Sequence, residues 1–214
     1  MDRIIKKFLF CFLFSVIQLH IFATGFEGSI TFVKESCFDT TYFTYFVSAG
    51  KIRIDEFNGS KSLLNAYIIN TNNEEVIVVN YEKKMYSKLK KRTEVDNNRD
   101  DFSVVKTSNS KEICGIKCYQ WRVKNREKNT EIAYWVTQND FTFFDKMIKI
   151  INHTDRSWEF FNHIPQSAGC LPMLSVERNL VRDEKNRTQV LKIMRKPIDS
   201  AIFRIPSDYK LLIM

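Results

Sequence analysis

The stretch Thr40–Phe57 reads TTYFTYFVSAGKIRIDEF, and its reading decides the fold class. Apolar and polar side chains alternate on both sides of Ala49–Gly50. In the second arm Ile52 and Ile54 alternate with Lys51, Arg53 and Asp55. A period of two belongs to half-buried strands, whose successive side chains point to opposite faces. The stretch therefore reads as two strands broken at Ala49–Gly50, where glycine supplies turn geometry.

Working outward, the pattern repeats. GSITFVKES at 28–36 places Ile30 and Phe32 on one face. LLNAYIINTNNEEVIVVN at 63–80 reads as a strand, a turn at Asn72–Asn73 and a more fully buried strand; YEKKMYSKL at 81–89 follows as another. Short strands joined by turns of a few residues make an antiparallel meander. Residues 90–101, charged and rich in Asp and Asn, read as an exposed loop. Strands resume at FSVVKT (102–107), KEIC (111–114), KCYQWRV (117–123) and TEIAYWVT (130–137).

The period then changes. In NDFTFFDKMIKIINHTDRSWEFF (139–161), Phe141, Phe144, Met147, Ile148 and Ile151 recur near helical spacing, with Asn139 or Asp140 as N-cap. A second helical turn is expected around Trp158–Phe161. AGCLPMLSVERNLV (168–181) and TQVLKIMRKP (188–197) read as a final hairpin, and IDSAIFRIPSDYKLLI (198–213) as a short turn and an extended tail. With no repeat and no linker, the expectation is one mainly β (α+β) domain over 26–214, with a helical insertion at about 139–163.

Residues 1–25 read as a signal peptide. MDRIIKK is a basic n-region, FLFCFLFSVIQLHIF an apolar core, and ATGF supplies small residues for cleavage after about Ala23 or Gly25. The expected location is the periplasm or the outer-membrane periphery, or the exterior by secretion. No later stretch reaches spanning length, so no transmembrane segment is expected after cleavage. The chain has 33 Lys+Arg and 25 Asp+Glu; without residues 1–25 the balance is 30 against 24. The basic side chains are scattered apart from KLKKR at 88–92, and an acidic stretch follows that run. Such a balance reads as a solvated surface rather than a polyanion site.

Four cysteines remain after export: Cys37, Cys114, Cys118 and Cys170, all disulfide candidates in an oxidising compartment. Cys114 and Cys118 flank Gly115 in EICGIKCYQWRV (112–123). Structural zinc needs four Cys/His ligands in close pairs, and C-x3-C has no second pair. Thiol–disulfide enzymes use C-x-x-C at a helix N-terminus, and this pair lies between strands. The stretch instead reads as a hairpin turn on Gly115. A two-residue turn at Cys114–Gly115 sets Cys118 opposite Lys111; a three-residue loop at 115–117 sets Cys114 opposite Cys118, within disulfide reach. Both registers fit the residues. No GxSxG, HExxH or phosphate-cradling glycine loop is present. His153 and His163 lack an identifiable nucleophile, so no catalytic set, metal or cofactor is implied. Aromatics that alternate with polar residues read as core, which argues against nucleic acid.

The order of FEGSITFVKES, VSAGKIRIDEF, EEVIVVNYEKKMYSKL, ICGIKCYQWRV, TEIAYWVTQND, LPMLSVE and IDSAIFRIPSDYKLL resembles an envelope-protein family of the Bacteroidota, domain of unknown function 4412. The Gly-x-Lys-Cys turn matches Gly115–Cys118, the following strand matches Tyr134–Thr137, and the closing motif matches Phe203–Tyr209. Each motif is short; their order and spacing carry the resemblance over most of 26–212. It implies the fold of the lipoprotein carriers LolA and LolB: a strongly curved antiparallel sheet, an incomplete barrel, with a helical lid on the concave face. It implies no catalytic residues.

Two functions follow. In the first, the domain is non-enzymatic and binds a lipid or acyl chain in the half-barrel, under an apolar lid of Phe141, Phe144, Met147, Ile148, Trp158 and Phe161. In the second, it is a structural or protein-interaction module of the envelope, with a filled core and an envelope protein as partner.

Overall fold

The computed structural model describes residues 25–89, 102–138, 140–151 and 155–213. Residues 1–24 of the expected leader, the charged loop at 90–101, Asn139 and His153 lie outside the described residues.

Six strands form the first meander: β1 (Gly28–Ser36), β2 (Thr40–Ser48), β3 (Lys51–Phe57), β4 (Leu63–Asn70), β5 (Glu75–Asn80) and β6 (Met85–Leu89). A second run comprises β7 (Phe102–Ile113), β8 (Ile116–Asn125), β9 (Thr130–Thr137), β10 (Leu171–Arg178) and β11 (Glu184–Arg195). β12 (Lys210–Leu211) is the last strand of the chain. All belong to one open, curved sheet, in the order β12-β6-β5-β4-β3-β2-β1-β11-β10-β9-β8-β7. Every neighbouring pair is antiparallel except β12 on β6. The mainly β, incomplete-barrel expectation is what the structure shows.

The two runs meet at β1 and β11, in register from Gly28 opposite Arg195 to Ser36 opposite Asn186. Gly28 makes this seam possible. Its φ is +147°, and a Cβ there would stand 2.0 Å from the Met194 carbonyl oxygen. Only a residue without a side chain allows that approach.

The alternation in the sequence sorts side chains onto two faces. On one, Ile30, Phe32, Tyr45, Ile52, Ile54 and Ile69 join Val123, Ile132, Tyr134 and Val136 in a single core. On the other, Ala66, Ile68 and Val79 are covered by Phe203, Ile205 and Tyr209 from the C-terminal segment. Arg53 and Asp55 lie under the same segment, both buried. Arg53 Nε donates to Asp55 at 2.6 Å, Nη1 to the Ile202 carbonyl at 2.6 Å and Nη2 to the Tyr81 hydroxyl at 2.7 Å. Burial pushes the Asp55 carboxyl up, against the pull of Arg53.

Three local expectations are corrected or settled. FSVVKT and KEIC are one strand, β7, interrupted by a bulge between Lys106 and Ser110. The hairpin takes the two-residue turn: Ile113 faces Ile116 and Lys111 faces Cys118, with Cys114 and Gly115 both at positive φ. The first helix, α1 (Thr142–Ile150), is capped at Phe141 rather than at Asp140, without a side-chain cap bond. Phe141 is fully buried and its N–H is held by the Gly169 carbonyl, so packing sets the start of the helix.

Candidate functional site

The expected lid is α1 and α2 (Arg156–Asn162), carried between β9 and β10. The helical spacing puts Phe143, Phe144, Met147 and Ile148 of α1 on its buried face, and Phe160 and Phe161 on that of α2. Of the six residues expected to wall a cavity, five are buried: Phe141 and Met147 at 0% exposure, Phe144, Ile148 and Phe161 at 1%. Trp158 is half-buried at the margin of the same core.

These side chains meet the sheet directly. The Phe161 ring lies 5.3 Å from Tyr134, edge-on, 5.6 Å from Phe144 and 6.5 Å from Trp121. Phe26 lies 5.1 Å from Phe141 and 5.6 Å from Phe143. Phe102 stands edge-on to Phe160 at 5.0 Å and stacks on His163 at 3.6 Å. Tilted and edge-to-face rings at these separations are the favourable arrangements. The residues that sequence reading placed in the lid pack against the sheet in one core. Burying five such side chains contributes on the order of 10 kcal/mol, an upper figure comparable with a whole domain's stability. The helices are part of the core rather than a loose cover.

A polar cleft of about 250 Å³ borders α2, lined by Lys34, Asp155, Arg156, Ser157, Ser175, Glu177, Asn186 and Thr188. Its charges are mutually satisfied. Asp155 N-caps α2 by accepting from the Ser157 N–H at 2.7 Å, and pairs with Lys34 of β1. Glu177 of β10 accepts from Arg156 at 2.9 Å and from Asn186 of β11 at 2.8 Å. The Ser157 and Ser175 hydroxyls are 3.1 Å apart, and the Tyr134 hydroxyl donates to the Ser157 carbonyl at 2.6 Å. This network pins the start of α2 across β1, β10 and β11. Lys34 and Asp155 are 121 positions apart, so no local motif in the sequence announced it.

The four cysteines are free thiols. Cys37 is exposed at the β1–β2 turn and Cys114 at the β7–β8 turn, at opposite ends of the sheet; Cys118 and Cys170 are buried. Burial pushes the Cys118 thiol up to about 11, the reverse of what a nucleophilic thiolate needs. Among the described residues, no group of three His, Cys, Asp or Glu side chains could hold a metal ion, and no helix is long and apolar enough to cross a membrane.

The family model for Domain of unknown function (DUF4412) matches residues 26–209. No curated protein matches the chain in sequence. Among solved structures, a conserved protein from Thermus thermophilus aligns with 87% of this chain and 90% of its own, at 10% identity and a TM-score of 0.53. A chain of the Pseudomonas aeruginosa MucA/MucB complex aligns with 87% of this chain at 10% identity and a TM-score of 0.53; the match spans 58% of its length. A putative outer membrane lipoprotein-sorting protein domain from Vibrio parahaemolyticus aligns over 82% of this chain and 87% of its own, at 5% identity and a TM-score of 0.32. The first two place the architecture among known folds. The family match runs from the strand at the β1–β11 seam to the tail on the opposite face, and this chain belongs to the DUF4412 family.

Proposed function

We propose that the chain is an exported, non-enzymatic domain of the cell envelope that acts by contact with a protein partner rather than by carrying a ligand. The observation that supports this reading is the burial of Phe141, Phe144, Met147, Ile148 and Phe161 in one core with the sheet. A shared fold with a member of a two-protein complex, MucA/MucB, supports a protein partner. The raised Cys118 thiol and the self-satisfied charges of the polar cleft support a domain without chemistry of its own.

Native mass spectrometry of the protein isolated from its own envelope tests the reading, combined with crosslinking in the intact cell. The expected result is the mass of the polypeptide alone, and crosslinks that map to one surface of the domain. A stoichiometric lipid adduct would overturn it and restore the carrier function, with α1 and α2 as a gate.

A further inference from the structure

The face that meets the helices is not uniform. Strand registers sort the side chains of β2 to β5 on that face into rows. Val47, Ile52, Ile69 and Val76 form one row, and all four are buried. In the next row Tyr45 and Ile54 are buried, while Tyr67 and Val78 are half-buried. The third row, Phe43, Glu56, Asn65 and Asn80, is half-buried throughout.

The polar side chains of the third row are joined in one direction. The Lys83 N–H donates to Asn80 Oδ1 at 2.8 Å, Asn80 Nδ2 to Asn65 Oδ1 at 2.9 Å, and Asn65 Nδ2 to Glu56 Oε2 at 2.9 Å. The Tyr67 hydroxyl also donates to Glu56 Oε2, at 3.4 Å. Aligned donors reinforce one another, and here they end on the carboxylate. Glu56 is therefore held by one oxygen, while its Oε1 accepts from none of the described residues. Burial and the Glu56 charge together push the Tyr67 hydroxyl up to about 12.

The Glu56 charge has no counterpart. Among the described residues of β2 to β6, it is the only charged side chain that the registers set on this face. Lys34, on the same face of β1, is engaged by Asp155. At the bordering turns, exposed Lys61 and Lys83 are offset by exposed Asp39 and Glu82, and neither lysine pairs with Glu56. A half-buried carboxylate without a cation carries a desolvation cost that a bound cation offsets. Phe43 stands directly opposite Glu56 in the β2–β3 ladder, and Tyr67 is bonded to it. A fixed carboxylate beside two aromatic rings suits a guanidinium, whose planar fork donates to the carboxylate while its face lies on a ring. A neutral ligand would leave the charge uncompensated.

We propose that Glu56, with Phe43 and Tyr67, receives an arginine side chain of the protein partner. The assignment rests on the protein-contact reading and names the group the partner supplies.

The probe is the acetylated, amidated tripeptide Gly-Arg-Gly, compared with Gly-Lys-Gly and Gly-Gln-Gly. Each is titrated into isotope-labelled protein isolated from its own envelope, and the side-chain amide signals of Asn65 and Asn80 are followed by NMR. The arginine peptide should shift both signals with a Kd of about 1–10 mM. The lysine peptide should bind at least about threefold more weakly, and the glutamine peptide should leave the signals unmoved. Glu56→Gln should weaken arginine binding at least about tenfold and Phe43→Leu about threefold, while Glu35→Gln, at an exposed carboxylate of β1, should leave it unchanged. Phe43→Leu keeps an apolar side chain in the row, so it reads the ring even where Glu56→Gln alters folding. Equal binding of the lysine or glutamine peptide, full affinity in Glu56→Gln, or shifts that miss Asn65 and Asn80 would overturn the proposal. In the intact cell, a photocrosslinking side chain in place of Val78 should capture the partner in the parent and lose it in Glu56→Gln. Partner crosslinks that persist in Glu56→Gln sink this site alone. A lipid adduct with no partner crosslink sinks the protein-contact reading as well.

Discussion

Phe161→Ala separates a filled core from a ligand chamber. The ring is 1% exposed, 5.3 Å from Tyr134 and 5.6 Å from Phe144, edge-on to both. Losing its burial costs about 2–3 kcal/mol. The two edge-to-face pairs add about 0.5–1.5 kcal/mol each. The whole, including the cavity left between α2 and the sheet, falls at about 3–5 kcal/mol, the usual range for a buried Phe→Ala. That is a large part of the roughly 5–15 kcal/mol that holds a domain together. Urea unfolding followed by circular dichroism and tryptophan fluorescence reads it, since Trp121 and Trp158 both belong to this core. With a slope of about 2–3 kcal/mol per molar urea, the midpoint should drop by about 1–2 M.

A second reading sharpens the first. An apolar cavity in a rigid surround stays dry and takes up a small hydrocarbon. Benzene should therefore raise the midpoint of Phe161→Ala and leave the parent chain unmoved, because a ligand stabilises only the state that binds it. A loss below about 1 kcal/mol, or a parent chain stabilised by benzene or a fatty acid, would refute the reasoning. Either result would mean that the helices already leave room.

Three further outcomes are expected. Alkylation at pH 8 should modify Cys37 and Cys114 rapidly and Cys118 slowly, since a thiol raised to about 11 is only about 0.1% thiolate there. The same group binds its proton more tightly folded than unfolded. Its stabilisation is therefore full below the unfolded value of 9.0 and is lost as pH rises towards 11, by up to about 2–3 kcal/mol, which alkaline unfolding would register. Buried Tyr45 and Tyr134, also raised, add to that loss at higher pH. Gly28→Ala should cost about 3 kcal/mol or more, because its Cβ meets backbone at 2.0 Å; Gly115→Ala, whose nearest neighbour is a Glu112 side-chain oxygen at 4.0 Å, should cost about 1 kcal/mol. Asp155→Ala removes the cap of α2 and the Lys34 pair together, for about 1–2 kcal/mol by denaturant unfolding and faster amide exchange in α2, whereas Asp155→Asn keeps most of the cap.

The period-two pattern made the strands legible, and Ile30, Phe32, Ile52 and Ile54 face the core the alternation assigned them to. The β7–β8 register was not legible, because Gly115 suits either turn; positive φ at both Cys114 and Gly115 decides for the tighter one. Asp140 was a plausible cap by residue type, but the buried Phe141 ring fixes the helix start, and tertiary packing outweighs a cap worth about 1 kcal/mol. The lid was legible as apolar, but the depth of its burial against the sheet was not. A sequence states how apolar a helix face is, while the volume between that face and the sheet depends on strand curvature. Arg53 and Asp55 read as the polar half of an alternation; both are buried because a tail 149 positions away lies over them.

Coverage of the sheet limits where recognition can occur. One face is covered by α1 and α2, the other, over β3 to β5, by the C-terminal segment. The β6 edge is partly paired with β12. The β7 edge is interrupted by its bulge, and Lys106 is turned in onto the Pro165 carbonyl at 2.6 Å. A bulge and inward-turned lysines are the devices by which sheet edges resist pairing with another strand. Among the described residues, a partner therefore meets helices over one face, the C-terminal segment over the other, and no long regular edge. Of the two ends, the one holding Cys114–Gly115 and Ala49–Gly50 has two-residue turns at both of these hairpins and a four-residue turn between β4 and β5. The other presents Phe38, Leu180 and Val181 on hydrogen-bonded turns. Exposing a Phe almost completely gains nothing for folding, because the burial term that orders every other aromatic in this core is absent there.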